Sequence, residues 1–139
     1  MIFHGGRKLR DNERKLIDLL SEIDKKYNKP LIIVEGKRDK RVLRDFGIKS
    51  PIFRTQGPLA RPELVDEIVE HSQGRPILIL TDFDDEGVEI CHFLERELEI
   101  RKIKILRKLR RTIRKLMRDL RCIEELVFLF KHKDSPTPE

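Results

Sequence analysis

Apolar residues in this chain fall into two kinds of pattern, and the alternation between them predicts the fold. Unbroken aliphatic runs stand at Leu31–Val34 and Ile77–Leu80, each introduced by proline and ended abruptly by acid and glycine. A short run of this kind marks a strand buried on both faces, as in the middle of a parallel sheet. Elsewhere apolar positions recur at helical spacing. They predict amphipathic helices over residues 9–27 (Leu9, Leu16, Leu20, Ile23, Tyr27), 37–46 (Val42, Leu43, Phe46), from Pro62 to the stop at Gly74 (Leu64, Val65, Ile68, Val69) and 85–98 (Ile90, Cys91, Leu94, Leu98). Residues 51–54 read as a short strand. Lys102-Ile103-Lys104-Ile105 alternates polar and apolar, as an edge strand does. From Leu109 to Phe130 apolar residues repeat at steps of four and three, which predicts one long helix over 107–130.

The order of these elements is βαβαβαβ, so right-handed crossovers make an α/β fold with a parallel sheet and helices on both faces. The fully apolar strands belong in the centre, the short and the lysine-edged strands outside. Four strands in the order 2-1-3-4 follow. In that order the connection reverses between strands one and three, and ligands bind at such a switch point beyond the strands' carboxyl ends. Glu35, Asp82 and Asp84 stand there. Three carboxylates at one sheet mouth repel one another, and a hard divalent cation such as Mg²⁺ would neutralise them.

Composition narrows this further. The chain has 139 residues, enough for one domain with a real core, and 40% of them are charged, with formal net charge +6. Eleven Lys or Arg stand against one acid between Arg101 and Arg121. Such density, including Arg107, Lys108, Arg110, Arg111 and Arg114, suits a nucleic-acid backbone, although a solvated helix face would look the same. The apolar stripe of that helix would either pack on the sheet or pair two chains in a dimer. Cys91 and Cys122 form no CxxC pair and no zinc set with the histidines, and read as reduced, buried thiols of a cytoplasmic protein. Residues 1–8 read as a loose basic arm too polar for a signal peptide, and residues 134–139 as a frayed tail. No apolar run approaches the roughly 18 residues of a membrane span.

An Asp-x-Asp at a strand end directs both carboxylates to one side, because side chains alternate with period two. Phe83 then turns into packing. Glu35 lies near other negative charge, which favours its protonated form and suits it to proton transfer. Gly36 and Gly87 leave room for a phosphate backbone, and Lys37 and Arg38 stand near a helix start where they would bind it. Each has a plainer reading: Asp82, Asp84 and Asp85 as helix caps, Lys37 and Arg38 as solvated charges, Asp39 as a first-turn acid.

Glu35-Gly36 after the first central strand and Asp82-Phe83-Asp84 with Gly87 after the second resemble the two motifs of the Toprim family, shared by topoisomerases, DnaG-type primases, OLD-family nucleases and ribonuclease M5. The wider form Glu35-Gly36-Lys37-Arg38-Asp39 looks most like ribonuclease M5 and the small stand-alone Toprim proteins. The resemblance covers residues 29–106, preceded by an arm and helix (1–28) and followed by the basic helix and tail (107–139). It implies a Toprim-like Rossmannoid domain, Glu35 as general acid or base, and Asp82 and Asp84, with Glu35 itself beside them, around Mg²⁺ or Mn²⁺. Glu86 matches an extra acidic position of the topoisomerase form. A further acid follows the glycine there, where Val88 stands here and Glu89 comes one later.

Residue inventory trims the family's functions. Tyr27 is the only tyrosine and lies at a helix end, there is no P-loop, and the length leaves no room for a polymerase scaffold. The expectation is therefore a Mg²⁺-dependent nuclease of ribonuclease M5 type, RNA favoured over DNA. A non-catalytic, nucleic-acid-binding adaptor that depends on a protein partner is the alternative.

Overall fold

The computed structural model describes residues 3–4, 7–127 and 129. Phe3–His4 (β1) and Arg7–Lys8 (β2) pair antiparallel, so these residues of the predicted loose arm are ordered against one another. Helix α1 (Asp11–Lys26) begins where the Glu13 carboxylate accepts the Arg10 N–H at 2.8 Å, and it buries Leu16, Leu20 and Ile23. Then come β3 (Leu31–Val34), α2 (Lys37–Asp45), β4 (Ile52–Arg54), α3 (Arg61–Ser72), β5 (Ile77–Ile79), α4 (Asp85–Ile100), α5 (Arg107–Met117) and a 3-10 turn at Ile123–Leu126. Gly47, at φ +92°, turns the chain out of α2, a backbone conformation that costs other residues free energy.

The sheet is parallel, in the order β4-β3-β5, with Ile32 beside Ile52 on one side and Leu78 on the other. Among the described residues it has three strands, not four. The predicted edge strand at 102–105 lies next to β5 as expected but makes only a single parallel bridge, Ile77 to Ile105. Lys102 sits at φ +60°, outside the extended region, so the chain reaches strand geometry too late to build a ladder.

Period two along the strands divides the core into two layers. Ile32, Val34, Leu78 and Leu80 face α1, α2 and α5; Leu31, Ile33, Ile77 and Ile79 face α3 and α4. The four residues of β3 are at most 1% exposed. Truncating one of them, Ile33→Ala for example, removes contacts worth about 2–5 kcal/mol. Among the described residues no helix is long and apolar enough to cross a membrane.

The predicted helix over 107–130 is broken. Helix α5 ends at Met117 because Arg118 takes φ 53°, ψ −107°. The break is fastened from outside and from within. Asn12 of α1 donates its side-chain amide to the Leu116 carbonyl at 2.8 Å, and the Arg114 guanidinium donates to the Arg118 carbonyl at 2.9 Å. The apolar stripe packs on the sheet side, the first of the two expected alternatives: Leu109, Ile113, Met117, Ile123 and Leu126 are all buried in the first layer. Phe130 and the tail at 134–139 lie outside the described residues.

Candidate functional site

Strands β3 and β5 run side by side, so the residues that follow them meet. The Asp82 N–H donates to Glu35 Oε2 at 2.8 Å, joining the two motifs directly. Thr81, fully buried, donates its hydroxyl to the Gly87 carbonyl at 2.8 Å, and Asp84 Oδ1 accepts the Gly87 N–H at 2.8 Å. Asp84 is therefore the N-cap of α4, the plainer role foreseen for it, while remaining beside Asp82. A Cβ on Gly87 would lie 2.1 Å from the Asp82 carbonyl oxygen. The space at Gly87 is thus filled by the chain's own backbone rather than left for phosphate, which corrects the sequence expectation.

The Asp82 carboxylate lies among other acids. Burial first, then Glu35, Asp39 and Asp84, push it up to about 7. Its Oδ1 is buried without a hydrogen-bond partner among the described residues. Burial also raises Glu35, helped by Asp84 and Asp39 and opposed by the Asp82 N–H. Asp39, 7% exposed, is raised by burial as well, and accepts the N–H groups of Gly36 at 3.0 Å and Glu124 at 3.1 Å. It is more than a first-turn acid: it ties the start of α2 to the 3-10 turn.

That link belongs to a segment whose role the sequence did not disclose. After the break at Arg118 the chain crosses the strand ends, and the Phe83 N–H donates to the Arg121 carbonyl at 2.6 Å. Cys122 arrives beside the aspartates. One ligand atom each from Asp82, Asp84 and Cys122 falls within 4.8 Å of the others. Both cysteines are free, but Cys122 is only half-buried, unlike the buried thiol expected. A buried carboxylate oxygen without a donor, beside a second carboxylate, fits a divalent cation, which would supply the missing charge.

A groove of about 490 Å³ opens over Glu35 and Asp82, rimmed by Lys37, Arg38, Arg54 and Gln56. Gly36 faces the groove, where an added Cβ would crowd the end of the Gln56 side chain, at 2.8 Å, and make ordinary contact with Asp39 Oδ2 at 3.9 Å. Arg38 makes an exposed ion pair with Glu124 at 3.8 Å. Glu86 stands exposed on the first turn of α4, outside the donor group.

The basic residues of α5 divide. Lys108 and Arg111 are exposed. Arg107 pairs with Glu99 at 2.7 Å and Glu95 at 3.6 Å. Arg110, expected to bind nucleic acid, is instead 9% exposed and donates to the carbonyls of Ile79, Thr81 and Asp82 at 2.9, 2.8 and 3.3 Å. The sheet's carboxyl end holds it because those carbonyls have no further strand to pair with. Its guanidinium lies 4.5 Å from the centre of the Phe83 ring, with Arg114 at 5.6 Å.

Together these residues make a small parallel α/β protein with a carboxylate cluster where its neighbouring strands β3 and β5 end. No family model matches the chain. It is 31% identical over 121 residues to a UPF0292 protein of Thermococcus sibiricus, covering 86% of this chain and 91% of that one. It is 33% identical over 117 residues to a UPF0292 protein of Thermococcus onnurineus, covering 84% and 81%. The chain belongs to the UPF0292 family. Its fold is similar to that of a putative protein from Aquifex aeolicus, with a TM-score of 0.67, 24% identity and coverage of 84% of this chain and 99% of that one.

Proposed function

We propose that this chain is a Toprim-type enzyme that cleaves nucleic-acid phosphodiesters with the help of Mg²⁺ or Mn²⁺, RNA favoured. The observation that carries the reading is the 2.8 Å hydrogen bond between Asp82 N–H and Glu35 Oε2, which puts the acid of one motif against the Asp-x-Asp of the other. Asp82 and Asp84 would hold the cation; when bound, it would offset negative charge on the phosphoryl group. Glu35, raised by burial and neighbouring acids, keeps a proton at higher pH than an ordinary carboxyl and would pass it to a leaving oxygen. Lys37, Arg38 and Arg54 at the groove's rim would hold the phosphate, and exposed Lys108 and Arg111 would hold backbone farther along.

One observation favours a second reading, the non-catalytic adaptor. Lys108 and Arg111 are exposed on α5 and line no part of the acidic groove, so they would bind backbone even without chemistry. The test is Mg²⁺- or Mn²⁺-dependent cleavage of structured RNA, single-stranded DNA and duplex DNA, beside Glu35→Gln. Cleavage that needs the metal and is lost in the variant supports the enzyme. Salt-sensitive binding with no cleavage of any substrate overturns it in favour of the adaptor.

A further inference from the structure

The donor next to the two aspartates is of a different chemical kind. Cys122 comes from the crossing segment, and its position is fixed by backbone. Glu125 Oε1 accepts the N–H groups of Arg121 at 2.8 Å and Cys122 at 2.9 Å. The Arg121 carbonyl is held by the Phe83 N–H at 2.6 Å, and the Glu124 N–H by Asp39 Oδ1 at 3.1 Å. The thiol is thereby brought within 4.8 Å of oxygens from both Asp82 and Asp84.

A second observation points to a ligand there. Asp82 Oδ1 is buried and has no hydrogen-bond partner among the described residues. A carboxylate oxygen in that condition loses its hydration without replacement. A bound cation replaces it. Mg²⁺ selects oxygen ligands, whereas a thiolate favours Zn²⁺, Co²⁺ and Cd²⁺.

We propose that Asp82, Asp84 and Cys122 form a mixed carboxylate–thiolate site that takes divalent cations of the Zn²⁺ and Co²⁺ class more tightly than Mg²⁺. The proposal rests on the reading that the aspartates hold a cation, and adds the thiol as the selecting ligand. Binding exchanges the S–H bond for a sulfur–metal bond; the proton leaves to solvent and nothing is oxidised or reduced. Such a cation competes with Mg²⁺ for the same two carboxylates.

The two cysteines make the test clean, since Cys91 lies in α4, 3% exposed and outside the donor group. The full chain is titrated with Co²⁺ under reducing conditions, and the near-ultraviolet thiolate-to-cobalt charge-transfer band is recorded. The band is expected in wild type and Cys91→Ser and is absent in Cys122→Ser and Cys122→Ala. Zn²⁺ affinity falls about tenfold or more in the Cys122 variants, while Mn²⁺ affinity changes little, which also certifies that they fold. A wild-type chain that binds Mn²⁺ through Asp82 and Asp84 but gives no thiolate band overturns the role of Cys122 and leaves the carboxylate reading standing. A band that survives in Cys122→Ser overturns it as well. Failure of wild type to bind either Co²⁺ or Mn²⁺ removes both.

Discussion

The Asp82 backbone N–H donates to the Glu35 carboxylate at 2.8 Å, so an acid from one strand end is oriented by the main chain of its neighbour. The bond uses Oε2, and Glu35 lines the groove. Glu35 is thereby aimed by backbone as well as by the Asp82 side chain beside it.

Glu35→Gln keeps an acceptor for that N–H and removes the proton-carrying group. Cleavage is expected to fall about 10²–10⁴-fold, with the melting temperature, Mn²⁺ affinity and RNA affinity near wild type. Unchanged cleavage by a folded Glu35→Gln would sink the acid/base role.

Asp82 titrates at about 7 in the folded chain, against an ordinary value of 3.8, because burial and the acids around it oppose its charge. Below the ordinary value both folded and unfolded chains hold the proton, and the group costs nothing. As pH rises from there through about 7, the unfolded chain releases its proton first, so stability declines and then levels off. Asp82→Asn is therefore expected to be more stable than wild type at about pH 8 by on the order of 1–2 kcal/mol, a figure discounted for partial exposure, and equal to it in dilute acid. Urea unfolding at the two pH values measures this. A divalent cation at about 100 times its Kd adds ~2.7 kcal/mol to wild type and nothing to the variant.

Gly87 and Gly36 differ in what surrounds them. Gly87→Ala drives a methyl into the Asp82 carbonyl at 2.1 Å, where only backbone movement makes room. A loss of about 3 kcal/mol or more and of metal binding is expected. Gly36→Ala meets a side-chain end that can swing aside, and is expected to cost under ~1 kcal/mol. Equal losses for the two in chemical denaturation would contradict this packing.

Arg110 and Arg111 are adjacent in sequence and opposite in exposure. Arg110→Ala strips donors from three carbonyls at the sheet's end and is expected to destabilise by about 2–4 kcal/mol. Arg110→Lys recovers only part, since an ammonium cannot span the same fork. Arg111→Ala leaves stability within about 0.5 kcal/mol but lowers the salt dependence of RNA binding by roughly one phosphate's worth.

The strands that carry the motifs were legible because burial on both faces demands continuous apolar sequence, and Leu31–Val34 obeys that demand without interruption. The edge at 102–105 showed the right alternation, yet the backbone at Lys102 is not extended, and alternation alone does not report that. The apolar repeat beyond Met117 is real, since Ile123 and Leu126 are buried, but periodicity cannot see Asn12 holding the Leu116 carbonyl or the turn at Arg118. Arg110 was read as a surface cation because its type is usually exposed; its burial depends on carbonyls contributed by another element. Cys122 was beyond reach for the same reason: its nearness to Asp82 is created by the crossing segment, which no local pattern announces.

That crossing segment also sets an order of events during synthesis. The ribosome makes Glu35 first, then Asp82 and Asp84, and residues 118–126 only afterwards. Until those later residues emerge and dock, Asp39 lacks one of its two backbone donors and the aspartates lack their sulfur neighbour. A nascent chain bearing both strand-end motifs therefore carries an unfinished site.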